Sequence, residues 1–84
     1  MDSNEIEQFL TREVIADSRQ VKIIFKKREP LFGIFVKAGD YTDLKRKNFW
    51  RIVRAEYFEE WVRSKNIDFA RLFNGAEFSK LVVK

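Results

Sequence analysis

The apolar periodicity of the chain changes at Gln20, and this change constrains the fold more than any other feature of the sequence. Ahead of it Ile6, Phe9 and Leu10, with Val14 at the far end, recur every three or four residues and so fall on one stripe of a helix. Behind it Val21, Ile23 and Phe25 point one way while Lys22 and Lys26 point the other, the two-residue period of a half-buried strand. A helical stripe followed by strand alternation predicts a helix packed on a sheet. With 84 residues there is room for one core. The expectation is therefore a single domain over 1–84, with an N-terminal helix over 1–18 and a mainly β body over 20–84.

Local signals divide that body further. Asp2 or Ser3 caps the helix, Glu5 follows Asp2 at capping-box spacing, and the pairs Val14-Ile15 and Asp17-Ser18 predict that the helix frays there. Arg28-Glu29-Pro30 ends the first strand, because proline cannot donate to a ladder. A second strand runs from about Leu31 to Lys37, and Gly33 inside it is the mark of a bulge or of a sharp bend at a barrel corner. Ala38 to Asn48 reads as a polar loop and Phe49 to Arg54 as a third strand with apolar bulk on both faces. Glu56 to Lys65 fits one or two inserted helical turns, with Tyr57, Phe58, Trp61 and Val62 on one face, or else a continuation of the third strand. Ile67, Phe69, Arg71 and Phe73 resume the alternation, and Asn74-Gly75 signals a tight turn. Ala76 to Leu81 reads as a single helical turn leading to a short last strand at Val82-Val83.

Composition removes whole classes of function. The chain has no Cys and no His, which excludes thiol nucleophiles, disulfides, histidine-based catalysis and zinc sites built on either residue. The carboxylates Asp40, Asp43, Glu59, Glu60, Asp68 and Glu77 form no recognisable catalytic pair or metal set, and three Gly make no phosphate loop. No enzyme, cofactor or metal is expected. The longest apolar run, Leu31 to Val36, has six residues against the roughly 20 needed to cross a bilayer. The acidic N-terminal segment has no apolar stretch of signal-peptide type. A cytoplasmic protein with no membrane partner is the expectation.

Charge is unevenly spread. Residues 1–20 carry five acids and two bases, a net of −3, whereas residues 21–84 carry +7. A basic body raises the expectation of an anionic partner. Lys45, Arg46, Lys47, Trp50, Arg51 and Arg54 lie within ten positions, an interleaving of cations and a ring that suits a groove for single-stranded RNA. The competing reading is a solvated loop followed by a core strand in which Trp50 is buried. Lys26, Lys27 and Arg28 extend the patch or simply blunt a strand edge against aggregation. Tyr57, Phe58 and Trp61 offer an aromatic anchor for a protein partner, although their helical spacing also suits a core helix.

The order of elements resembles the Sm-like small β-barrel. Gln8-Phe9-Leu10, Val21-Lys22-Ile23-Ile24-Phe25, Leu31-Phe32-Gly33-Ile34 and Asp40 are similar to the N-terminal helix, first strand, glycine-bent second strand and following acid of the Hfq-like bacterial RNA chaperones. Arg71 to Ser79 resembles that family's fourth strand and its turn into the fifth. The resemblance implies an SH3-type five-stranded barrel, here with a short helical insert near 56–66. It also implies RNA binding and a ring-shaped homo-oligomer assembled through strand edges. Two departures stand out: the family's Lys-His pair before the last strand is replaced by Asn74-Gly75, and the insert lengthens the body. The combined expectation is a non-enzymatic α+β binding module for RNA or another polyanion, with a protein-interaction module as the alternative.

Overall fold

The capping residues read from the sequence do start the first helix. In the computed structural model, which describes residues 1–13 and 19–84, α1 spans Ser3–Arg12. The Asp2 carboxylate accepts the Glu5 N–H at 2.8 Å and the Glu5 carboxylate accepts the Asp2 N–H at 3.0 Å, which satisfies two N–H groups at the helix start. Ile6, Phe9 and Leu10 are buried, as their spacing requires. The fraying expected at Val14-Ile15 and Asp17-Ser18 lies outside the described residues.

Five strands follow, β1 (Val21–Phe25), β2 (Leu31–Phe35), β3 (Phe49–Arg54), β4 (Ala70–Asn74) and β5 (Phe78–Val83). They form one antiparallel sheet in the order β4-β3-β2-β1-β5, so the fold is α+β. The sheet is not closed into a barrel, and β4 and β5 are its two edges. Among the described residues no helix is long and apolar enough to cross a membrane.

Alternation along the strands sends side chains to two cores. The larger joins Ile6, Phe9 and Leu10 of α1 to Val21, Ile23, Phe25, Leu31, Phe35, Trp50, Ile52, Phe78 and Leu81. A smaller one on the opposite face holds Val36, Val53, Trp61 and Ala70, with Phe58 and Phe69 packed against it. It lies under α3 (Phe58–Ser64), the helical form of the insert that the sequence left open.

Three elements differ from the sequence reading, each for a local reason. Ala38 to Asn48 holds a short helix, α2 (Tyr41–Arg46), which buries no residue and therefore leaves no apolar stripe to detect. Ile67–Phe69 forms a 3₁₀ turn instead of strand, with the Asn66 side chain accepting the Asp68 N–H at 3.0 Å. The last strand begins at Phe78. Phe25 pairs with Phe78 while Ile24 pairs with Lys80, so Ser79 is an extra residue that lets Phe78 and Leu81 both face the core. Their spacing of three imitates a helix. The bulge thus sits in β5, and β2 keeps its register through Gly33. What Gly33 permits is close packing: a Cβ there would lie 2.6 Å from Ile52 Cγ2 and 3.1 Å from the Val53 carbonyl oxygen.

The turn between β4 and β5 crosses the open end of the sheet and is tied on both sides. Gly75–Glu77 is a 3₁₀ turn; the Gly75 N–H donates to the Asn48 carbonyl at 2.8 Å, and the Lys26 N–H donates to the Glu77 carbonyl at 3.0 Å. Asn48 itself has a φ of 61°, a left-handed conformation that asparagine tolerates better than most residues. Its Oδ1 accepts the Trp50 indole N–H at 2.8 Å, and its Nδ2 donates to the Met1 carbonyl at 3.0 Å. Gly75 is buried against this amide, and a Cβ on it would overlap Asn48 Oδ1 and Ile6 Cδ1. We expect Gly75→Ala to destabilise the fold by roughly 1–3 kcal/mol, the usual range for overpacking. A fall in the urea midpoint with an unchanged slope is the measurement that checks it.

Candidate functional site

The Lys45 to Arg54 window crosses the end of α2 and the whole of β3, so strand alternation splits it between the two faces of the sheet. Trp50 points into the larger core and is 2% exposed. Its ring meets Phe35 and Tyr41 edge-on, at centroid distances of 6.1 and 6.0 Å, and its N–H is taken by Asn48. The stacking role expected for Trp50 is therefore corrected: the ring fills the core and is closed to a base.

The cations of the window are largely engaged close by. Lys45 Nζ lies 2.6 Å from a Glu7 carboxylate oxygen, Arg46 lies 3.9 Å from Asp43, and Arg54 lies 3.4 Å from Glu56. Lys47 is exposed and makes no ion pair among the described residues. Arg51 forms the best-made pair, with Nε 3.1 Å from Asp40 Oδ1 and Nη2 2.6 Å from Oδ2. These two hydrogen bonds hold the Asp40 carboxyl below its ordinary value near 3.8 and push the Arg51 guanidinium up.

Arg51 opens onto a cleft of about 490 Å³ between the β2–α2 connection and the end of α3. Lys37, Asp40, Trp61, Lys65 and Ile67 also line it. Lys37 Nζ stands 5.2 Å from the Tyr41 ring centre, and Lys65 Nζ stands 5.2 Å from that of Trp61. Lys65 ends α3 in a left-handed conformation, with a φ of 54°. The sequence reading missed Lys37 and Lys65 as partners of Arg51, since α3 and its packing on β3 bring them together and no motif links them. Among the described residues no three His, Cys, Asp or Glu side chains converge as a metal set.

The aromatic anchor is corrected as well. Trp61 is 4% exposed and forms part of the smaller core, so it presents no ring to a partner. Its buried Nε1 has no hydrogen-bond partner among the described residues. Phe58 is half-buried in the same core, and of the three only Tyr57 is well exposed.

Trp61→Ala should cost about 3–5 kcal/mol of stability through the cavity it leaves, read from denaturant unfolding. The Asp40–Arg51 pair makes a separate forecast. Because the folded carboxyl has the lower pKa, its stabilising effect is complete above about pH 3.8 and is lost as pH falls through that lowered value. Asp40→Asn should thus lower the melting temperature at neutral pH and flatten its decline at acid pH, followed by melting from pH 7 to pH ~2. No family model, curated protein or solved structure matches the chain.

Proposed function

We propose that this chain is a non-enzymatic binding module for single-stranded RNA or a similar polyanion, held first at the cleft beside α3. One observation carries this reading: among the described residues the cleft is lined by three cations, Lys37, Arg51 and Lys65, and one carboxylate, Asp40, which Arg51 already engages. Among the described residues, a polyanion entering there meets more cations than carboxylates.

The topology supports an Sm-like, SH3-type relationship. The strand order, the glycine in β2 and the tied 3₁₀ turn that crosses from β4 to β5 are what such a small barrel would need. Asn74-Gly75 in place of the family's Lys-His pair moves the expected contact away from that turn and toward the cleft.

Fluorescence anisotropy with a labelled single-stranded RNA at two salt concentrations tests the reading. Affinity should fall steeply with salt, and Lys65→Ala should reduce the slope by about one. An absence of binding at low salt, or binding indifferent to salt, would remove it.

A second reading, self-association or a protein partner at a strand edge, rests on β4. Among the described residues its outer edge has no neighbouring strand, and Leu72 on β4 is 51% exposed. Sedimentation should then give a mass above 10.1 kDa, with Leu72→Lys returning it to that of one chain. A wild-type protein already at 10.1 kDa argues against self-association.

A further inference from the structure

Helix α3 covers only part of the sheet face on which it lies. Ile34 on that face of β2 and Val36 just past its end are buried, whereas Phe32, two residues before Ile34 on the same face, is 41% exposed. An exposed phenylalanine on a strand gives up apolar burial that the fold obtains from its neighbours. The charges around this ring are also unusual. The register sets Lys22 opposite Phe32 on one side and opposite Val82 on the other. Lys22 Nζ lies 6.0 Å from the ring centre and Lys84 Nζ lies 5.3 Å from it. Arg54, whose backbone pairs with Gly33, rims a shallow pocket of about 210 Å³ with Phe32 and Pro30. The acid in this ring of side chains, Glu56, is paired with Arg54.

We propose that Phe32 is a stacking platform for one unpaired base of a single-stranded RNA, with Lys22 and Lys84 placed to meet the flanking phosphates. A ring accepts any base on its face, and cations beside it neutralise the backbone without reading sequence. Charge complementarity selects this occupant, because two lysines flank the ring and the nearby Glu56 carboxylate is paired with Arg54. The inference rests on the polyanion reading and deepens it. The cleft beside α3 recognises charge alone, whereas Phe32 distinguishes a strand that carries bases from one that does not.

Anisotropy titrations of wild type, Phe32→Ala and Phe32→Trp against a short mixed-sequence RNA, with inorganic polyphosphate as competitor, test this. Phe32→Ala should weaken RNA binding by roughly 5- to 150-fold, Phe32→Trp should retain it, and displacement by polyphosphate should reveal an unchanged polyphosphate affinity in all three. RNA affinity that survives Phe32→Ala overturns the platform and leaves the polyanion reading standing, as does equal loss of RNA and polyphosphate. Wild-type protein that binds neither ligand overturns both. A Phe32→Ala protein whose only change is a lower oligomeric mass makes the ring a contact between copies, which also overturns the proposal.

Discussion

The amide of Asn48 joins three stretches of chain that have no covalent connection at that point. Through it the indole of Trp50, the carbonyl of Met1 and, by way of the Asn48 backbone, the turn at Gly75 are fixed relative to one another. A buried indole N–H without a partner is costly, and Asn48 Oδ1 removes that cost for Trp50, whereas the Trp61 N–H has no partner among the described residues. The acceptor in turn depends on a left-handed backbone at Asn48 and on the missing Cβ of Gly75. Helix α1 enters the same junction through Ile6, whose side chain would meet any Cβ at Gly75. The seating of α1, the start of β3 and the β4–β5 turn is thus a single packing problem with one solution.

The same strand that carries Trp50 inward carries Arg51 outward, and this division governs the charge distribution. Basic residues that are consecutive in sequence end on separate surfaces with separate counter-ions: Glu7 for Lys45, Asp43 for Arg46, Asp40 for Arg51 and Glu56 for Arg54. The acidic helix at the start of the chain is part of that arrangement, since Glu7 lies on α1. Surface pairs of this kind contribute little to stability and are screened by salt. Lys37 and Lys65 share one cleft with Arg51, and Lys22 and Lys84 flank one ring.

Much of the fold was legible because its signals are local. The capping box at Asp2 and Glu5, the alternation of Val21 to Phe25 and the limits of β3 need only neighbouring residues to be read. The last strand misled because a bulge at Ser79 gives Phe78 and Leu81 a helical spacing, and α2 was silent because it buries nothing. The candidate site was less legible. Proximity in sequence grouped Trp50 with Arg51, although a strand separates adjacent side chains by construction. Lys22, Phe32 and Lys84 were never grouped, because their meeting depends on the pairing of β1 with both β2 and β5. Phe32 also sits in the unbroken apolar run from Leu31 to Val36, where alternation cannot tell one face from the other.

The pairing of β1 with β5 has a further consequence, for the order of assembly. β1 and β2 are neighbours in the chain and close a hairpin early, but the other side of β1 waits for Phe78–Val83, so that Val21 meets Val83 only across most of the chain. During synthesis the strand Val21–Phe25 is consequently exposed along one edge, with the apolar side chains of Val21, Ile23 and Phe25 still uncovered by Phe78 and Leu81. Such long-range closure is slow relative to hairpin formation. The interval is one in which another nascent chain competes for the same edge. The charged turn Lys26-Lys27-Arg28 stands at the end of that strand, where it would repel a second copy until β5 arrives.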